Sequence, residues 1–155
     1  MPARTLDEHD RAILRLLQED ADQPQRTIAE KVKLSAPAVQ RRIARLQAEG
    51  VIRRIVAVLD PTATGHPITV IVEVTLTTDR SDTVAKAKAF FRAAEEVQQC
   101  YCVTGEAGFV VILQVPTMED YERRIARLFA DNDLVRSYRT TVVLDRVKVG
   151  LGVPI

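Results

Sequence analysis

The sequence predicts an α+β chain of two parts, a three-helix unit containing a helix-turn-helix and a ferredoxin-like domain with the element order β-α-β-β-α-β. Three observations carry that prediction. Leu34 to Ile52 (LSAPAVQRRIARLQAEGVI) reads as one basic amphipathic helix with its start and stop signals attached. The turn-rich DPTATG at Asp60 to Gly65 separates the helical part from the remainder. Beyond it, β-branched runs and helix-period stretches follow in the ferredoxin-like order.

Leu6 to Asp20 opens with acids, which suit the positive end of a helix dipole, and repeats apolar residues at Leu6, Ile13, Leu14, Leu16 and Leu17. This predicts a first helix of about four turns. Pro24 ends it, because a proline disfavours helical geometry at the residue before it, here Gln23. Arg26 to Val32 forms a short second helix with Ile28, Ala29 and Val32 inward, and Lys33, Leu34 and Ser35 step to the third. Ser35 is the N-cap, Pro37 sits in the first turn where a missing N–H costs little, and Gly50 suits a left-handed closing residue. The third helix therefore spans Ala36 to Glu49. Helices this short are marginal alone, so Ile13, Leu14, Leu17, Ile28, Val32, Val39, Ile43 and Leu46 must form a shared core.

Formal charge totals only +1, from 22 cations and 21 anions, which argues against a disordered basic binder or a membrane-surface protein. The positive charge is nevertheless concentrated. From Lys31 to Arg54 there are seven cations against the single acid Glu49, a local +6. Two short helices joined by a tight turn, the second basic and capped by Ser35, are the ingredients of a DNA-binding helix-turn-helix. Its first turn would enter the major groove, with Ala36, Pro37 and Ala38 against thymine methyls and Gln40 and Arg41 at base edges. Arg45, Arg53 and Arg54 would meet phosphates. Two roles are open to Arg42, a DNA contact or a brace through a local salt bridge. Paired recognition helices would read half-sites about 34 Å apart or a multiple of that.

Val51 to Leu59 (VIRRIVAVL) reads as a strand leaving this unit, so the expected domains are 1–52, a linker strand and hinge at 53–65, and 66–155. In the last of these, Pro67 to Thr77 is a strand and Ser81 to Ala94 a helix capped by Ser81, with Val84, Ala87, Phe90 and Phe91 inward. Val97 to Thr104 and Phe109 to Val115 are strands separated by the GEAG turn at Gly105 to Gly108. Thr117 caps a helix to Phe129, with Tyr121, Ile125 and Leu128 on one face, and Val135 to Val149 closes as a long strand with a break near Asp145. Val72, Tyr101, Val103, Val111, Leu113, Val142 and Leu144 supply more apolar surface than two helices need. The uncovered sheet face is therefore expected to pair with a second chain.

No apolar run approaches the roughly 20 residues that span a bilayer, and the start MPARTLDEHDR lacks an apolar signal region. A cytoplasmic protein without a membrane partner is expected. Cys100 and Cys102 would share a strand face, where a bridge between them is awkward, and His9 and His66 are too distant to complete a metal site. Reduced thiols and no metal follow. The same two histidines leave the second domain little acid–base equipment, which argues against the rival reading, a ferredoxin-like enzyme with an accessory helical domain.

The segments LDEHDRAIL at Leu6 to Leu14, IAEKVKLSAPAVQRRIARLQAEGVI at Ile28 to Ile52, VTGEAGF at Val103 to Phe109 and RTTVVLDRVK at Arg139 to Lys148 follow one another along nearly the whole chain. Together they resemble the Lrp/AsnC (leucine-responsive, feast/famine) family of transcriptional regulators. The resemblance implies a helix-turn-helix of the winged type and a ferredoxin-like domain that binds an effector and dimerises through its sheet. It further implies homodimers that assemble to tetramers or octamers on double-stranded DNA, and no cofactor beyond an amino-acid effector. That effector would sit in a cleft lined partly by Thr104, Gly105, Glu106, Ala107 and Gly108, with Thr140 near it. Glu106 as a solvated turn acid and Thr140 as an ordinary sheet residue stay open beside those roles. Many members carry Asp where this chain has Gly108, so a changed ligand and an effector-independent regulator both stay open.

Overall fold

A computed structural model of the chain describes residues 5–155, and the first four residues of the expected 1–52 domain lie outside them. The chain divides into two compact units, one of residues up to Ala57 together with Val149–Ile155 and one of Val58–Lys148.

The first unit holds α1 (Glu8–Glu19), α2 (Gln25–Val32) and α3 (Ala36–Ala48). Asp7 caps α1 in a reciprocal box: its Oδ1 accepts from Asp10 N at 2.8 Å while Asp7 N donates to Asp10 Oδ2 at 3.3 Å. The turn between α2 and α3 is closed by Lys33 in the left-handed region at φ 56°, a conformation that costs a non-glycine residue energy. Ser35 Oγ then accepts from Ala38 N at 3.3 Å, the expected cap. Gly50 (φ +72°) ends α3, with Val51 N and Ile52 N both donating to Leu46 O. Ile13, Ile28, Ala29, Val32 and Val39 are buried together, and Leu17 and Ile43 pack against them, as the helical periodicity predicts.

The expected strand at Val51 to Leu59 does not form. Among the described residues no strand precedes Ile68, and Ile55, Val56, Val58 and Leu59 are exposed with nothing to pair against. The expected 66–155 domain also differs from the observed division. Residues 149–155 group with the helices because α1 side chains hold their backbone: Gln18 bonds Val153, and Arg15 Nε donates to Ile155 O at 2.5 Å.

The second unit has the ferredoxin-like order β1 (Ile68–Leu76), α4 (Ser81–Ala93), β2 (Val97–Cys102), β3 (Phe109–Val115), α5 (Met118–Ile125) and β4 (Val135–Val142), with sheet order β2-β3-β1-β4. All pairings are antiparallel. Ser81 begins α4 but does not cap it: the capping position is Arg80, which makes no side-chain bond there. Thr117 caps α5 as expected, accepting from Asp120 N at 3.0 Å. The helix continues as a π-helical turn, Ala126–Ala130, whose wider spacing accompanies burial of the consecutive Leu128 and Phe129. β4 stops at Val142, well short of Val149. Its neighbour β1 begins at Ile68, preceded by Pro67, which has no N–H to donate, so the ladder runs out of partners after Val143 N bonds Thr69 O.

The face assignment also needs correction. Val72, Val111 and Leu113 are fully buried under the helices, packed with Val70, Val74, Phe91, Phe109 and Phe129, and cannot serve a second chain. Val142 pairs with Val70 on that same side, and Leu144 lies beyond the strand, fully exposed. The face turned away from the helices carries Ile71, Glu73 and Thr75 of β1 and Val110 and Ile112 of β3. It also carries Tyr101 of β2, half-exposed. Cys100 and Cys102 share the helix-facing side, both as free thiols.

Phe91 anchors the helix-side core, with Phe90, Phe109 and Phe129 rings at 5.4, 5.5 and 5.9 Å. Phe91→Ala should therefore cost about 3–5 kcal/mol, read as a lowered urea midpoint of the second unit's transition.

Candidate nucleic-acid interface and ligand cavity

Asp10, in the first turn of α1, is 1 % exposed, an unusual place for a carboxylate. Its partners come from α3: Arg42 Nη1 donates to Asp10 Oδ1 at 2.7 Å and to Asp7 Oδ2 at 2.7 Å, while Arg45 Nη2 reaches both Asp10 oxygens at 2.7 Å. The two acids of the α1 capping box thus form a clamp on the third helix. Burial pushes the Asp10 carboxyl up, the Arg45 and Arg42 hydrogen bonds overcome it, and the group is held below the usual carboxylate range. Asp7 is lowered too, by the Asp10 backbone N–H and then by Arg42.

This clamp sorts the predicted contact residues. Arg42 takes the bracing role. Arg45 is also tied to Asp10, yet its side chain stays 47 % exposed, with Nε and Nη1 free of the clamp. Gln40, Arg41, Arg53 and Arg54 are exposed and make no hydrogen bond or ion pair among the described residues. Val39 and Leu46 point into the core, so the 100° helical step puts Pro37, Gln40, Arg41 and Ala44 on the solvent side, all exposed. Ser35 is engaged as the cap, and Ala36 and Ala38 are half-buried beside it. Ala44 and the two clamp acids were not legible as site residues. A run of alternating acids at a helix start gives no sign that one will be buried.

In the second unit, Thr104, Glu106 and Ala107 line a cavity of about 550 Å³ together with Glu73, Thr75, Val110, Ser137 and Arg139. The loop is pinned to β1: Gly108 N donates to Val74 O at 2.9 Å, and Thr75 Oγ1 donates to Glu106 O at 3.5 Å. Gly105 supplies a positive φ of 116° at its tip. The wall carries both signs of charge, with Arg139 Nη1 3.6 Å from Glu73 Oε2 and the Glu106 carboxylate on the loop. Gly105 and Gly108 shape the turn without lining the cavity. A Cβ at Gly108 would meet Val74 O at 3.8 Å and Leu76 Cγ at 3.9 Å, ordinary contacts, so space does not require glycine there. Thr140 is not brought to the cavity: it pairs with Val72 on the helix side and hydrogen-bonds the buried Tyr121 hydroxyl. Glu73, Thr75, Ser137 and Arg139 were missed because strand neighbours β1 and β4 meet only through pairing, which spacing in the chain does not reveal.

Comparison with known proteins assigns a family to each part of the chain. Residues 6–53 match the family model of winged helix-turn-helix DNA-binding domains, and residues 69–152 that of the Lrp/AsnC ligand-binding domain. A helix-turn-helix-type transcriptional regulator of Sinorhizobium fredii is 40% identical over 99% of this chain and 90% of its own length. Among solved structures, an AsnC family transcriptional regulator from Agrobacterium tumefaciens superposes with a TM-score of 0.89 at 28% identity, covering 96% of this chain and 97% of that one. A transcriptional regulator from Neisseria meningitidis in complex with L-Met does so with the same TM-score at 25% identity, over 97% of each chain.

The clamp makes a pH-dependent prediction. A carboxylate whose folded pKa is depressed contributes stability above its unfolded value, ~4, and loses it as pH falls through the folded value. Asp10→Asn should lower unfolding free energy by about 2 kcal/mol at pH 7, and the gap to wild type should close as the pH is taken below ~4. Urea midpoints measured from pH 7 to pH 3 check it; a gap constant across that range would mean that the ion pairs contribute nothing.

Proposed function

The chain belongs to the Lrp/AsnC family as a helix-turn-helix DNA-binding regulator with a ligand-binding domain, and we propose that it reads a specific operator under the control of an amino-acid effector. The observation that carries this is the clamp. With Arg42 and Arg45 drawn back to Asp10, the solvent face of α3 offers Gln40 and Arg41 unpaired, a side chain suited to adenine beside one suited to guanine. Ser35, Ala36, Pro37 and Ala38 form the turn that enters the major groove, and Arg53, Arg54 and the exposed part of Arg45 take phosphates.

The cavity wall supports an amino-acid effector. A zwitterion needs an anion for its ammonium and a cation for its carboxylate, and Glu73 or Glu106 with Arg139 provide both within one 550 Å³ space. The L-Met complex of the Neisseria meningitidis regulator is consistent with that chemistry. Ile71, Tyr101, Val110 and Ile112 on the outer sheet face would be covered in a homodimer, with dimers assembling to tetramers or octamers, in a cytoplasmic setting. No helix among the described residues is long and apolar enough to cross a membrane. The relatives and the fold are those of regulators, not of enzymes.

Two measurements test the reading. Gln40→Ala and Arg41→Ala should each lose ~1–3 kcal/mol of discrimination between operator and scrambled duplex in fluorescence anisotropy, whereas Arg53→Ala and Arg54→Ala should weaken both duplexes alike. Equal losses on both duplexes for all four variants would leave Gln40 and Arg41 without a reading role. Calorimetric titration with each of the twenty amino acids should find at least one that binds wild type and fails to bind Arg139→Gln, with operator affinity in its absence unchanged. Binding by none would turn the reading to effector-independent regulation.

A further inference from the structure

We propose that Val149–Ile155 is a strap that carries the state of the effector cavity to α1, with the Gln18 carboxamide as its fastening; the inference rests on the effector reading above. The strap's attachment lies wholly within the first unit. Gln18 Nε2 donates to Val153 O at 3.0 Å and Gln18 Oε1 accepts from Val153 N at 2.6 Å, so one side chain satisfies both backbone groups of one residue as a neighbouring strand would. Arg15, one turn earlier on α1, donates to Ile155 O. Only a carboxamide of this length combines donor and acceptor there; a carboxylate would lack the donor.

The attachment is polar and shallow. Val149, Leu151 and Val153 alternate along the segment and remain 60–76 % exposed, so burial adds little to hold it down. A segment held by a few exposed hydrogen bonds opens readily, which makes docked and released forms a two-state element. Its other end is covalent: β4, which carries the cavity residues Ser137 and Arg139, ends at Val142, seven residues before Val149. At α1 the strap fastens to the same helix that clamps Arg42 and Arg45 through Asp7 and Asp10. A contiguous route therefore runs from Arg139 along β4 and the strap to Gln18, and through α1 to the recognition helix. Any ligand with different affinity for the docked and released forms would shift DNA binding through it.

The test uses the full chain with Gln18→Ala, Val153→Pro, which removes the N–H that Gln18 accepts from, and Gly150→Ala as a control at a position with nothing within 4 Å. Amide hydrogen exchange at Val153 should be slowed in wild type and Gly150→Ala and at least tenfold faster in Gln18→Ala. Operator affinity is then measured with and without L-methionine, and with each other amino acid that binds by calorimetry. The effector-dependent change in affinity should disappear in Gln18→Ala and Val153→Pro while effector binding itself persists. Unchanged exchange in Gln18→Ala, or a full effector response in either variant, overturns the strap. If wild type answers to no amino acid, the effector reading fails. The strap is then decided by exchange and operator affinity alone, upheld if Gln18→Ala changes both and overturned if it changes neither or only one.

Discussion

The DNA-binding unit depends on one buried carboxylate. Asp10 sits where solvent cannot screen it, and it is tolerable there because two guanidiniums and a backbone box surround it. Those guanidiniums belong to the third helix, so satisfying the charge also fixes how that helix is rolled about its axis. Apolar packing alone would define the roll loosely, since Val39, Ile43 and Leu46 form a narrow stripe. The ion pairs contribute direction where the core contributes cohesion. A helix carrying Gln40, Arg41, Arg42 and Arg45 could otherwise present any of them; the clamp retains Arg42, holds Arg45 by one nitrogen and leaves Gln40 and Arg41 unpaired.

The ligand-binding unit applies a different constraint, that of a sheet covered by helices on one face. Strand β3 is apolar on both faces, reading FVVILQV, and such a run does not disclose which residues face the helices, whereas β1, ITVIVEVTL, alternates and turns Thr69, Glu73 and Thr75 away from them. The structure settles it by packing Phe91 and Phe129 against Val72, Val111 and Leu113. What remains outside is a mixed surface, apolar toward Tyr101 and Ile112 and charged toward Glu73 and Arg139.

Much of this was legible in the sequence, for local reasons. Helices α1 to α3, the Ser35 and Thr117 caps and the βαββαβ order rest on periodicity, capping chemistry and turns, all encoded within a few neighbouring residues. The illegible features are those set by long-range pairing. Arg42 and Arg45 meet Asp10 across more than thirty residues, Glu73 meets Arg139 across two strands, and Val51–Leu59 has strand composition without a partner. Thr140 shows the same limit in reverse. Its place in a familiar motif suggested the cavity, whereas its parity on β4 turns it to Tyr121 on the other face.

The attachment of Val153 to Gln18 also bears on how the molecule is made. The three helices close through neighbouring segments and can form as soon as they leave the ribosome, whereas the Gln18 contact spans 135 positions. Between those positions lies the whole of the ligand-binding unit, with its slower, non-local strand pairings. The first unit to emerge during vectorial synthesis is thus the last to be finished. A chain halted midway would carry a folded recognition helix without its final fastening, so completion of that contact marks a molecule whose ligand-binding half has already been built.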